Sequence, residues 1–229
     1  MVMENVLDNP VWNALISGNR RLATGSERVK LFDPAVSPFV ALIENTRQNF
    51  MELSEMVNSD QLVFLWAKEI LAIPKVWNVL HCIPGFQMVY EKAIVQAYKT
   101  DGITALTDRD IPDMLALTKL TKPGPFGMRT IEFGNYEGIF ENAQLVAMTG
   151  QRFHPFDHIE ISAVCTHPDY LGRGYARQLL LSQLSQILDA GSKPHLHVRI
   201  DNERAIHVYR ALGFTVRIPV YFYIIKKLP

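Results

Sequence analysis

Apolar positions along this chain recur at two periods, near 3.6 and near 2, and their alternation sets out the expected elements. In the first hundred residues, Asn9-Pro10 places an N-cap and a first-turn proline before "VWNALI". Ser37-Pro38 repeats the device before "FVALIENTRQNFMELSEM", which predicts a long helix. "QLVFLWA", "VWNVLHCI" and "FQMVYEKAIVQAY" are rich in β-branched and aromatic residues and predict strands. No internal repeat or low-complexity tract interrupts this half, and no motif in it names a chemistry.

From residue 102 the pattern sharpens. "DGITALTDRDIPDMLALTKLT" predicts a short strand, a turn at Thr107-Asp108, and a helix with Ile111, Met114, Leu115 and Leu117 or Thr118 inward. "YEGIFE" and "QLVAMTGQRF" read as a hairpin turning at Glu-Asn. "IEISAVCT" is a strand whose strict alternation sends Ile159, Ile161, Ala163 and Cys165 to one face and Glu160, Ser162, Val164 and Thr166 to the other. Ala176, Leu179, Leu180, Leu184, Ile187 and Leu188 form a helical stripe stopped at Gly191. "HLHVRI" is a strand, "NERAIHVYRAL" a helix closed by Gly213, and "YFYIIKK" a terminal strand. The order β-α-β-β-β-α-β-α-β predicts an α/β fold on a mixed sheet.

Composition narrows the function classes. The 23 basic residues balance the 23 acidic ones, so no global field points to nucleic acid or an anionic membrane. No secretory signal is expected at the start, and the apolar runs are too short to span a bilayer. Cys82 and Cys165 stand apart without metal-ligand spacing and are expected as reduced, buried thiols of a cytoplasmic protein.

One stretch suggests a ligand. In "THPDYLGRGYARQLL" a strand gives way to a helix across Gly172 and Gly174, with Arg173 and Arg177 alongside. Glycines there allow a tight turn, and they equally allow a phosphate to approach the unpaired first-turn amides of the helix. A dinucleotide fingerprint fails at Arg177, and the Lys-Ser/Thr of a P-loop is absent.

The wider context resembles the GNAT superfamily of N-acetyltransferases over roughly residues 102 to 227. Its Q/R-x-x-G-x-G/A pattern falls on Leu171-Gly172-Arg173-Gly174-Tyr175-Ala176, with Leu171 in place of the usual Gln or Arg. A second element follows as Asn202, Ala205, Tyr209, Gly213 and Phe214. Within the superfamily the arrangement looks closest to the C-terminal domain of glycine N-acyltransferase-like proteins. The resemblance implies a mixed, mostly antiparallel sheet flanked by helices over 102–229. Residues 1–101 read as an N-terminal mixed α/β subdomain of unknown role, expected to help shape the acceptor cleft because clefts favour domain junctions.

The resemblance also implies roles. Val164, Cys165 and Thr166 would pair with the pantetheine arm of acetyl-CoA, and Leu171 to Arg177 would cradle its pyrophosphate. Asn202 would face the thioester, Tyr209 would protonate the departing thiolate, and a strand amide near Val164 would hold the oxyanion. Glu160 is the candidate base, directly or through a water; equally, it reads as a strand glutamate paired with a basic residue. His154, His158, His167, His195 and His197 are alternatives; with no carboxylate at ligand spacing, no metal is expected. Cys165, on the face away from Glu160, is expected to be structural.

The implied reaction is acetyl transfer from acetyl-CoA, as co-substrate, to a primary amine in a ternary complex. Alternatives are a non-catalytic acyl-CoA-binding module, another acyl chain, or a hydroxyl acceptor. No nucleic acid or membrane partner is expected, and a homodimer is left open.

Overall fold

In the computed structural model, which describes residues 5–93, 95 and 100–228, the chain builds two sheets and five α-helices among those residues. In order, the elements are α1 (Pro10–Ile16), β1 (Ala23–Gly25), β2 (Val29–Phe32), β3 (Val40–Leu42), α2 (Arg47–Met56), β4 (Leu62–Ala67) and β5 (Trp77–Tyr90). There follow β6 (Ile103–Ala105), α3 (Ile111–Thr121), β7 (Glu137–Glu141), β8 (Gln144–Gln151) and β9 (His158–Thr166). The chain closes with α4 (Tyr175–Asp189), β10 (Lys193–Arg199), α5 (Glu203–Leu212) and β11 (Phe214–Lys227). From residue 103 the order is the expected one.

The first half departs from its pattern. "FVALIENTRQNFMELSEM" splits into β3 and α2, because Thr46 caps the helix through the Asn49 N–H at 3.3 Å. Ser37 accepts from the Phe39 N–H instead of starting a helix, and Asn9 makes no side-chain cap. "VWNVLHCI" and the beginning of the next run merge into the single strand β5, while much of "AIVQAY" lies outside the described residues.

The large sheet has eight strands in the order β4-β11-β5-β10-β9-β8-β7-β6. All neighbours in it are antiparallel except β9 and β10. Thus β5, from the first hundred residues, lies between β10 and β11 in the body of the sheet. The sequence boundary at 101/102 does not divide the sheet. A three-stranded sheet, β1-β2-β3, joins the large one through a bridge from Phe39 to Phe64. On one face α4 and α5 bury Leu180, Leu184, Ile206 and Tyr209 against Ile161, Leu196 and Phe214. On the other, α1 and α3 cover Met148, Cys165 and an aromatic group that includes Phe39, Phe133 and Phe153.

Two local irregularities interrupt the regular ladder around β9. Its parallel pairing with β10 covers only Lys193↔His158, Pro194↔Ile159 and His195↔Glu160. In addition, β9 carries a bulge. Its register against β8 passes from Ser162 opposite Gly150 to Cys165 opposite Met148, one residue more on β9, and Ala163 takes φ +53°. A left-handed alanine costs about 1–2 kcal/mol, so the surrounding ladder must hold it there. The bulge breaks the expected alternation: Ile161 packs toward α4, whereas Cys165 packs toward α3.

Candidate active site

Beyond His195 and Glu160 the ladder between β9 and β10 ends. A cleft of about 820 Å³ is lined there by Ile161 to Thr166 from one strand and His197 to Arg199 from the other. The same cleft runs past the two-glycine turn and along the inner side of α5 to Tyr209.

The turn presents backbone. Gly172 and Gly174 have φ of +81° and +85°, and a Cβ built on either meets no protein atom within 4 Å. Their glycine identity is therefore demanded by conformation, and the space above them belongs to the cleft. Gly174 begins α4, a helix of fifteen residues with no side-chain cap. Its first-turn amides and the positive end of its dipole face the turn, a setting suited to phosphate oxygens. Arg173 lies over the Tyr170 ring at 4.5 Å, and the Tyr175 hydroxyl donates to Glu141. Leu171 stands exposed at the rim.

The other helix at the cleft begins differently. Asn202 precedes α5, and its Oδ1 accepts from the Ala205 N–H at 3.2 Å. Asn202 lines the cleft, but its side chain is committed to the cap rather than extended toward a thioester. Tyr209 is 7% exposed and lines the cleft, and its hydroxyl makes no hydrogen bond to the described residues. Burial first, and nearby Cys165 second, push its phenol well above the ordinary range, so it stays protonated. Cys165 is buried, and burial pushes its thiol up to about 11, which suits an inert core thiol. Because of the bulge it lies on the same sheet face as Glu160, not the opposite one. Cys82 is free and exposed, against the expectation of two buried thiols.

Glu160 is placed unlike a base that meets an acceptor. It is 1% exposed and absent from the cleft lining. Arg152 grips it with two N–H groups at 2.9 and 2.6 Å, and His197 Nδ1 lies 2.7 Å from Oε1. Burial alone would raise its pKa; the Arg152 charge and hydrogen bonds, joined by His197, outweigh that and hold the carboxyl well below the usual range. A carboxylate so stabilised is a poor proton acceptor. Its evident work is to neutralise Arg152 and orient His197. Trp66 Nε1–H donates to His197 Nε2 at 3.0 Å, so Nδ1 carries the imidazole proton toward Glu160.

His195 brings a carboxylate-histidine cluster that was not legible in the sequence. A ligand atom from each of Glu160, His195 and His197 lies within 4.8 Å of the others. His195 is fully buried, makes no hydrogen bond through either ring nitrogen to the described residues, and is kept neutral mainly by desolvation. The donors of Glu160 and His197 are already bonded to Arg152 and Trp66, a donor set committed to protein rather than to a metal. His154, His158 and His167 lie outside the cleft lining.

Sequence reasoning missed Arg152 and the N-terminal wall. Arg152 had a signal: the hairpin of β8 and β9 puts it opposite Glu160, the Arg152 N–H bonding the Glu160 carbonyl at 3.0 Å. Phe39, Phe64 and Ile83 also line the cleft and come from segments whose pattern carried no chemistry.

Comparisons with known proteins bear on the family and the fold. The family model of FR47-like protein matches residues 136–223. A solved structure from Novosphingobium aromaticivorans DSM 12444, assigned to the GNAT family, is 32% identical, with a TM-score of 0.92 over 99% of this chain and 100% of that one. The chain belongs to the GNAT family of acyltransferases. A GCN5-related N-acetyltransferase from Kribbella flavida shares the fold at 13% identity, with a TM-score of 0.62 and 92% of each chain covered. Among curated proteins, an uncharacterised Mycobacterium leprae protein is 45% identical over 62 residues, and the N-alpha-acetyltransferase RimI of Mycobacterium tuberculosis is 35% identical over 86. These matches span 16% and 51% of the curated relatives' lengths. Among the described residues of this GNAT chain, no helix is long and apolar enough to cross a membrane.

Proposed function

We propose that this GNAT protein transfers an acetyl group from acetyl-CoA to a primary amine by direct attack in a ternary complex. The observation that carries this reading is the continuity of one cleft, from the two-glycine turn through the split between β9 and β10 to the Tyr209 hydroxyl. Leu171 to Arg177 would hold the pyrophosphate, mainly through backbone amides, and Val164, Cys165 and Thr166 would pair with the pantetheine arm. The bulge at Ala163 turns the backbone next to Val164 out of regular register, which suits an amide aimed at the thioester carbonyl. Asn202 would support the site by fixing the start of α5.

The amine lone pair attacks the thioester carbon, and the carbonyl oxygen gains charge beside the bulge. The C–S bond then breaks, its electron pair goes to sulfur, and Tyr209 gives the thiolate a proton that solvent restores. The nitrogen loses its extra proton to water. Glu160 takes no direct part; it holds Arg152 and His197, which line the cleft. We propose further that the chain resembles the glycine N-acyltransferase-like branch, and on that reading longer acyl-CoA donors also react.

The test is thiol release from acetyl-CoA and longer acyl-CoAs across a set of amines, beside thermal stabilisation by each CoA alone. Stabilisation together with amine-dependent thiol release is expected. Stabilisation with no amine-dependent release would make the chain a CoA-binding module instead.

A further inference from the structure

Because Glu160 is sealed, the cleft has an unusual charge balance. Among the described residues no aspartate or glutamate lines it, whereas Lys122, Arg152, Arg177, Arg199 and Arg204 do. Glu160 is committed to Arg152 and His197, Glu141 to Tyr175, and Asp201 to Arg199 at 2.6 Å. Next to His197, away from the glycine turn, the walls are Phe39, Phe64, Ile83, Phe222 and Ile224. The Phe222 ring lies 5.6 Å from His197, and the Arg152 guanidinium lies 5.0 Å over Phe39, taking that ring's cation-binding face.

We propose that this end of the cleft takes a primary amine on an aromatic or branched aliphatic body, with one basic centre, and rejects polycations such as polyamines and aminoglycosides. The inference rests on the acetyl-transfer reading and adds the acceptor's class to it. A second ammonium would be desolvated against apolar rings with no carboxylate to receive it. An apolar body, by contrast, gains burial against the same rings. A lining without a carboxylate to receive an ammonium favours the neutral amine, so the acceptor enters as free base and no dedicated base is required. Entry as the free base predicts that kcat/KM rises about tenfold per pH unit below the amine's own pKa, ~10 for an alkylamine.

The experiment compares 2-phenylethylamine and isoamylamine with spermidine and kanamycin, measuring kcat/KM at fixed acetyl-CoA. A preference of about 100-fold or more for the apolar amines is expected. Equal or better use of spermidine or kanamycin overturns the acceptor class while leaving acetyl transfer standing. Stabilisation by acetyl-CoA without turnover of any amine overturns both. Phe64→Glu places a carboxylate in the wall and should shift the preference toward spermidine by tenfold or more. Ile83→Glu does the same from β5, on the far side of β11, if the first variant loses acetyl-CoA stabilisation. An unchanged ratio in a variant that still binds acetyl-CoA overturns the placement of the acceptor here.

Discussion

The two helices that open onto the cleft start in opposite ways. Helix α4 begins at a left-handed glycine with no side-chain cap, so its first amides are offered outward. Helix α5 begins at Asn202, whose own oxygen satisfies the Ala205 amide. A capped terminus has committed one of its first-turn donors to its own cap; an uncapped one beside glycines keeps them all for an anion. The contrast supports the proposal that phosphate binds at α4 and that α5 positions Tyr209. Gly174→Glu attacks the α4 side most directly, adding a side chain at φ +85° and a negative charge where phosphates would sit. Loss of both thermal stabilisation by acetyl-CoA and all turnover is expected. Retained stabilisation would remove α4 from the site.

Tyr209→Phe probes the α5 side alone. It should lower kcat by about a hundredfold or more, the usual worth of a positioned acid, while acetyl-CoA affinity stays within about twofold. A parallel loss of affinity would mean that α5, despite its cap, also holds the cofactor.

The difference in start was partly readable beforehand. Gly172 and Gly174 stood out by residue type and spacing, because a turn is a local event written in a few neighbouring positions, whereas Asn202 was expected to face the thioester rather than to cap α5. The bulge at Ala163 was not readable, since an alanine gives no sign of positive φ and alternation runs on unbroken through "IEISAVCT". That one extra residue moved Cys165 to the face of Glu160. Nor could the sequence show β5 entering between β10 and β11, because strand order depends on distant pairing rather than local pattern. The same distance hid Trp66 as a neighbour of His197 and Phe39 as a neighbour of Arg152.

Beneath the two helices, the Arg152–Glu160–His197 group tests whether Glu160 is structural. Glu160→Gln leaves Arg152 largely buried without its counter-charge and should cost about 3–5 kcal/mol of stability, read by denaturant unfolding. The pKa of Glu160 is lower in the folded protein than in the unfolded chain. Its stabilisation is therefore complete above the ordinary carboxylate range and declines as pH falls through and below it. The wild type should lose stability on acidification more steeply than the variant. If activity falls far more than stability at neutral pH, with the fold intact, Glu160 returns as a participant in the chemistry.

The smallest effect is expected at Leu171, the residue that departs from the glycine-turn pattern. Its N–H already bonds the Pro168 carbonyl at 3.3 Å, and its side chain is 45% exposed at the rim. If the cradle is made of backbone, Leu171→Gln adds one solvent-exposed hydrogen bond at most. Such a bond tightens acetyl-CoA binding by about two- to threefold. A tenfold gain, measured by calorimetry, would show that a side chain at this position governs the cradle. The contrast between the two helix starts would then account for less of the binding than the glycines suggest.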